Sequence, residues 1–325
     1  TAKNALSVGA STTGAFGSET IGQIFNESSS GPTSDGRIKP DLVAPGVMIC
    51  SARAQEADLA TGGNCSNSMH SDGSTPMYMT LNGSSMATSV VAGASAMARE
   101  FLREEVGIAT PGSDLIRALL VNGAEDIGEQ DVPNSREGWG QLNISNSLLP
   151  KSNGVNLSVF YDQERQLMPG HSFIYTFEVS GGSGIDVTLA WNDIEGSASA
   201  SQNASRLVNN LDLVVTSPTG EVYNGNNFVN GISQTTQFSD QLNNLERVRL
   251  PSPQSGIWSV QVGHAGGFVQ DFSLVLAADA EELQEADLTV VANSIFTSEN
   301  NPLKGDTFSM QLSWINQAAA PTGDY

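Results

Sequence analysis

Beyond Leu149 apolar residues return at every second position, and this alternation narrows the fold more than any other feature of the chain. Phe173, Tyr175, Phe177 and Val179 alternate with polar residues, as do Val187, Leu189 and Trp191, and then Leu211, Leu213 and Val215. Trp258, Val260 and Val262 follow the same rule, and so do Phe272, Leu274 and Leu276. Successive side chains of a strand point to opposite faces, so a period of two makes one face apolar and leaves the other polar. Turn signals such as Ser217-Pro218-Thr219-Gly220 separate the runs, which predicts antiparallel strands. Residues 148–279 are therefore expected to form an all-β sandwich.

The first 147 residues have a different texture, in which short apolar runs alternate with helical segments as in α/β folds. Residues 6–10 and 42–44 read as buried strands, and residues 87–103 as a helix. Ala87, Ala92, Gly93, Ala94, Ala96 and Ala98 make that helix rich in small side chains. It should pack closely around most of its circumference, with its first half central. A second helix, residues 114–122, opens at the capping pair Ser113-Asp114 and presents Leu115, Ile116, Leu119 and Leu120. The acidic residues 280–287 read as a linker. Residues 288–291 and 308–314 read as strands of a further β module, 288–325, too short to close a sandwich by itself.

Charge removes one function class. The net charge of −21, from 35 acidic against 14 basic residues, has the wrong sign for nucleic-acid binding. No apolar run reaches the roughly 18 residues of a membrane span. Cys50 and Cys65 stand 15 positions apart in polar sequence. In an oxidising compartment they would close a loop worth on the order of 3 kcal/mol; two unpaired thiols are the alternative.

Asn82-Gly83-Ser84-Ser85-Met86-Ala87 places serines where the small-residue helix begins. A serine there has a backbone N–H without an intrahelical acceptor, and the helix dipole favours developing negative charge. Such a hydroxyl can act as a nucleophile once a base takes its proton and donors hold the oxyanion. A Gly-Ser-Ser before a helix can equally be an N-cap. A lipase-type Gly-x-Ser-x-Gly elbow is excluded, because Ala87 occupies the second glycine position.

Three separated stretches resemble the subtilisin-like (subtilase) serine protease family, in that family's order. Residues 1–10 look like the strand after its oxyanion-hole segment. Residues 28–46 resemble its long Gly-Pro to Ala-Pro-Gly segment, here Gly31-Pro32 to Ala44-Pro45-Gly46, and Gly83-Ser84-Ser85-Met86-Ala87-Thr88 resembles its nucleophile motif. Downstream, Asn209-Asn210-Leu211-Asp212-Leu213 resembles the C-terminal jelly-roll of large alkaline bacterial subtilases. The resemblance implies the C-terminal half of an α/β parallel-sheet catalytic domain, then an all-β jelly-roll, then the start of another β module.

It also implies an extracellular, secreted endopeptidase acting on polypeptide substrates through an acyl-enzyme, with no cofactor required for the chemistry. Ser85 would be the nucleophile and Ser84 an oxyanion-hole helper, with Asn82 and Met86 lining the leaving-group side. Ser89 and Val90 depart from the family's Pro and His, and losing the proline should loosen the start of the helix. The catalytic Asp and His and the oxyanion Asn of the family lie upstream of the matching stretches. The chain's own His70, His171 and His264 match none of these, so the isolated chain is expected to be inactive. Calcium is implied as a structural ion, with Asp193, Asn209 and Asp212 offering oxygens, although Asn and Asp also serve as ordinary turn residues. Asp41 matches a position near a weak cation site, where the ammonium of Lys39 would replace the ion. The alternative is a non-catalytic secreted surface or adhesion protein built on a degenerate subtilase.

Overall fold

Small side chains set the arrangement around the first helix. The computed structural model describes residues 3–14, 20–58, 60, 62–128 and 131–283, and beyond them the backbone of 288–290, 296–297, 310–311 and 314–316. Helix α1, Ser84–Glu104, buries Ala87, Val91, Ala94, Ala98 and Leu102, a stripe at helical spacing. That stripe lies against β1, Val8–Ser11, and β2, Leu42–Pro45. The two strands pair in parallel with Val8 opposite Leu42 and Ser11 opposite Pro45. The close packing expected around most of the helix is not found. Ala92, Gly93 and Ala96 are exposed, because the described neighbours β1, β2 and two later helices (α2, Ser113–Asn122, and the single-turn α3, Ile144–Leu148) cover one side only.

Between β2 and α1 the chain builds a small antiparallel sheet from β3, Ile49–Ala52, β4, Gly63–Asn64, and β5, Tyr78–Leu81, with β5 in the middle.

Nearly all of α2 is buried, because it is sandwiched between α1 and a β-sheet. The alternating region forms two antiparallel sheets. The four-stranded one runs Leu245–Leu250, Ile185–Ala190, Gln270–Ala278, Ser158–Leu167. The five-stranded one runs Val222–Asn224, Asn210–Thr216, Gly256–Gly266, Ser172–Val179, Ala280–Glu282. Their facing side chains, among them Phe177, Val187, Leu189, Trp191, Leu213, Val260 and Leu274, share one core. The expected alternation places these correctly.

A polar outer face does not follow for the four-stranded sheet. Ala190, Leu245 and Val275 on its far side join the core that holds Leu115, Leu119 and Ala87. Residues 1–281 consequently form one compact unit. Ala280–Glu282, expected to open a linker, is instead an edge strand hydrogen-bonded beside Ser172–Val179. Residues 284–287 lie outside the described residues. In the second unit, Leu288–Val290 pairs antiparallel with Trp314–Asn316, and Phe296–Thr297 with Met310–Gln311. The expected strand positions 291, 308, 309, 312 and 313 lie outside the described residues.

Buried charges fasten α2 to the sandwich. Arg117 donates to the carbonyls of Trp191 at 2.8 Å, Asn244 at 3.0 Å and Lys3 at 3.2 Å. Arg247 holds the Asp186 carboxylate with both Nε and Nη2, and its Nη2 also reaches the carbonyl of Asn122 at 2.8 Å. Each guanidinium thus ties α2 to the four-stranded sheet or to the ends of its strands. Replacing Arg117 by Ala would remove three directed hydrogen bonds and leave a buried cavity, and should lower unfolding stability by about 3 kcal/mol in a denaturant titration.

Glu246 has no such cation. It is fully buried; Oε2 accepts the Leu213 N–H at 2.7 Å, and Oε1 has no partner among the described residues. Burial pushes its pKa well above the ordinary carboxylate value, with Asp240 adding to the rise. The folded state therefore keeps a proton that the unfolded state gives up. The stability this contributes is present below the ordinary Glu pKa of about 4.5 and is lost as pH rises towards the raised folded value. Thermal unfolding followed from about pH 5 to about pH 9 should show that fall in wild type and a smaller one in Glu246→Gln.

Candidate active site

The segments singled out in the sequence converge on one glycine. Gly46, after β2, donates its N–H to the Ser11 carbonyl at 2.9 Å, and its carbonyl accepts the Gly83 N–H at 2.7 Å. A Cβ on Gly46 would stand 2.7 Å from the Ala10 Cβ, 2.8 Å from the Gly83 carbonyl oxygen and 3.2 Å from the Ala87 Cβ. Strand, turn and helix start can meet only because that position carries no side chain. Gly83 has φ 136°, a region closed to residues with a Cβ, so the turn into α1 also depends on glycine.

Ser85 stands in the first turn of α1, exposed, and its Oγ makes no hydrogen bond to a described residue. No side chain caps the helix, and among the described residues the amides of Ser84 and Ser85 have no acceptor, whereas those of Met86 and Ala87 turn back to the Gly83 carbonyl. Ser84 is half-buried, and its carbonyl accepts the Thr88 hydroxyl at 2.8 Å. The Ser89 hydroxyl returns to the Ser85 carbonyl at 3.2 Å. With serine where the family has proline, α1 still runs from Ser84, and these two hydroxyls bond back across its first turn. Met86 is half-buried, and its N–H donates to the Gly83 carbonyl at 3.1 Å. Asn82 is exposed, and its Oδ1 accepts the Met48 N–H at 2.7 Å.

A nucleophile needs a base, and none of the three histidines stands beside Ser85 as one. His70 Nε2 is 2.8 Å from the Arg53 carbonyl, at the end of β3 and β5 far from Asn82. His171 contacts the Pro169 carbonyl, and His264 is buried in the five-stranded sheet with Nε2 at 2.6 Å from the Phe268 carbonyl. A large cleft, about 810 Å³, is also elsewhere, lined by Lys3, Ser7, Arg37, Lys39 and Arg206 among others.

Cys50 and Cys65 form a disulfide with Cα atoms 6.0 Å apart. It links Cys50, opposite Thr80 of β5, to Cys65, the residue after β4, so it joins the two strands that flank β5. The strand it flanks runs directly into Asn82, so the covalent clip braces the approach to the candidate nucleophile.

The oxygens expected to hold calcium are otherwise engaged. Asp193 and Asn209 do come together: the Asp193 carboxylate accepts the backbone N–H of Val208 and of Asn209, each at 2.8 Å. The cation on it is the Lys3 ammonium, at 2.5 Å from Oδ2, which also reaches the carbonyls of Ile194 and Arg206 at 2.6 Å. Asn209 uses Oδ1 for the Phe268 N–H and Nδ2 for Gln270. Asp212 does not join them; its Oδ1 takes a hydrogen bond from Asn210, and burial raises its pKa. A divalent ion does not fit where the ammonium stands, and no acidic, His or Cys triplet able to hold a metal occurs among the described residues. Lys3 escapes sequence reasoning, because nothing in its neighbourhood signals a partner 190 positions away.

Lys39 pairs with Asp41. Its Nζ lies 2.5 Å from Asp41 Oδ2 and 3.1 Å from the Ala5 carbonyl. Asp41 also accepts the Ser7 N–H and hydroxyl. Burial pulls the Lys39 pKa down, and Asp41 opposes it.

The segments that build this site are similar to known proteins. Residues 1–140 match the model of the Subtilase family. Serine protease/ABC transporter B family protein tagA of Dictyostelium discoideum is 31% identical over 263 residues, 75% of this chain and 14% of that protein. Its namesake tagD from the same organism is 30% identical over 341 aligned residues, 83% of this chain and 18% of that protein. Serine protease AprX of Bacillus subtilis (strain 168) is 34% identical over 125 residues, 38% of this chain and 25% of that protein. The chain spans a quarter or less of the length of each.

Two variants test the cradle and its brace. Gly46→Ala should lower stability by about 1–3 kcal/mol through overpacking against backbone, read as a fall in denaturation midpoint. Cys50→Ser with Cys65→Ser should lower stability by about 3 kcal/mol, and reductant should do the same to wild type while leaving the double variant unchanged.

Proposed function

Because residues 1–140 belong to the subtilase family, we propose that the protein is a serine-type endopeptidase and that Ser85 is its nucleophile. The observation that carries this is the setting of Ser85. Its exposed hydroxyl, without a partner among the described residues, stands on the open first turn of α1, held by close contact among Ala10, Gly46, Gly83 and Ala87. The nucleophile thus stands on rigid elements, as acyl transfer requires.

The chemistry follows from that placement. Ser85 Oγ attacks the carbonyl carbon of a peptide bond while its proton passes to an imidazole. The Ser85 N–H, at the positive end of α1, stabilises the tetrahedral oxyanion, and the Ser84 hydroxyl stands one residue away as a second donor. The imidazolium gives its proton to the leaving amine, and water then releases the acyl group by the reverse sequence. The imidazole, the carboxylate that orients it and a further oxyanion donor come from chain outside these 325 residues. Two observations support this. The three histidines present are bonded elsewhere, and α1 exposes the small residues Ala92, Gly93 and Ala96, a face shaped for close packing.

The finer architecture of this reading is an α/β parallel-sheet domain begun by β1, β2, α1 and α2, followed by a jelly-roll in the two antiparallel sheets. Polypeptides are the substrates, and no cofactor takes part in the acyl transfer. The Cys50–Cys65 disulfide fits an oxidising compartment, which supports a location outside the cell. No helix among the described residues is long and apolar enough to cross a membrane. Met86, next to the nucleophile, makes the activity sensitive to oxidants.

In the intact protein a fluorophosphonate should label Ser85, and Ser85→Ala should remove both labelling and peptide hydrolysis, a loss of at least about 10³-fold. The 325-residue chain alone should hydrolyse no peptide above background. Hydrolysis by it that vanished in Ser85→Ala would overturn the assignment of the base to another segment.

A further inference from the structure

We propose that Asn82 is a positioning residue for Ser85, acting through a strained backbone at Met48 rather than through contact with substrate; the proposal rests on Ser85 being the nucleophile. Met48 has φ 54°, inside the left-handed region that favours glycine. A methionine gains nothing there, because its side chain cannot form the local hydrogen bonds that let Asn or Asp tolerate it. Something must hold it. The bond present is from the Met48 N–H to Asn82 Oδ1, at 2.7 Å.

The two ends of that bond belong to the segments that meet at the nucleophile. Met48 closes the turn between β2 and β3, whose Gly46 carbonyl accepts the Gly83 N–H at 2.7 Å. Asn82 closes β5, whose Leu81 pairs with Ile49 directly after Met48. The turn is held again at Val47, whose carbonyl accepts the Thr13 hydroxyl at 2.9 Å. Two hydrogen bonds therefore lock the turn to the approach of α1: Met48 to Asn82, and Gly83 to Gly46.

Losing the first lets Met48 relax to negative φ, and that rotation moves the Gly46 carbonyl on which Gly83 rests. Ser85 is two residues further on, and its amide and hydroxyl move with Gly83. Strain at an active-site turn, sustained by a neighbouring side chain, is a known way of fixing such geometry. The Asn82 oxygen is engaged in this bond. Its Nδ2, exposed and without a partner among the described residues, is oriented by it.

The test is a double-mutant cycle in the intact protein, read by the rate of fluorophosphonate labelling at Ser85 and by kcat and KM on a peptide substrate. Asn82→Ala should slow labelling and kcat by about tenfold or more with KM within about twofold. Adding Met48→Gly should restore both rates to within about threefold of Met48→Gly alone, because glycine takes positive φ without a clamp. Hydrogen exchange at the Gly83 amide should speed up in Asn82→Ala and return in the double variant.

A double variant as slow as Asn82→Ala, or a kcat untouched by Asn82→Ala, would overturn the proposal. A wild-type protein that takes no label would instead sink the nucleophile assignment. Gly83 exchange would then still decide the positioning role, and unchanged exchange in Asn82→Ala would reject it.

Discussion

The contact at Gly46 is the constraint on which the candidate site depends. Three chain segments, β1, the turn after β2 and the start of α1, approach until a single hydrogen atom fills the space between them. Ala10 and Ala87 on either side are the smallest residues that still carry a side chain. Backbone held against backbone has no rotamers to sample, so the position of Ser85 is set by the least adjustable parts of the molecule. Larger side chains at any of these positions would interpose flexible atoms and give back the freedom the site must exclude.

The sandwich extends the same rigidity from the other side. Asp193 takes the Lys3 ammonium, and its backbone exchanges two hydrogen bonds with the Asn4 side chain, a few residues before β1. Arg117 adds the Trp191 and Asn244 carbonyls to the same junction. Well-packed apolar residues could replace such buried ions at little cost in stability, whereas losing one partner alone is expensive. What ions with several directed hydrogen bonds add is registration: β1 and α2 meet the four-stranded sheet in one arrangement. The apolar cores on either side of that sheet supply cohesion without direction.

Legibility in the sequence depends on how local each physical signal is. The period of two in 172–179 and 258–262 places inward residues correctly, since Tyr175, Phe177, Val260 and Val262 are all buried. The burial of the outer face of the four-stranded sheet is hidden because its cover, α2, is remote in sequence. A hint exists in the unbroken apolar run Leu274-Val275-Leu276-Ala277-Ala278, which fits a strand buried on both faces. The small sheet β3–β5–β4 carries almost no apolar period, and β4 is only Gly63-Asn64; its disulfide is legible, its strands are not. At the site, Ser85 and Gly46 are visible through motif order. The Met48 conformation and the Lys3–Asp193 pair are not, since neither φ nor a contact across 190 positions leaves a trace in composition.

The departures at Ser89 and Val90 bear on whether the nucleophile setting has decayed. Drift without function would leave the first turn of α1 free to fray, because an uncapped helix start has little to hold it. The two departures are one hydroxyl-bearing residue, Ser89, and one apolar residue, Val90, and Ser89 acts alongside the motif's own Thr88. Thr88 and Ser89 bond back to the carbonyls of Ser84 and Ser85, and Val90 packs at the margin of the core containing Ala87 and Val91. Where the family has a proline, Ser89 instead returns its hydroxyl to the carbonyl of Ser85, a back-bond that bends a helix more than it stiffens it. Both bonds fall on the carbonyls of Ser84 and Ser85, so the hydroxyls one turn on fix the orientation of those two peptide groups.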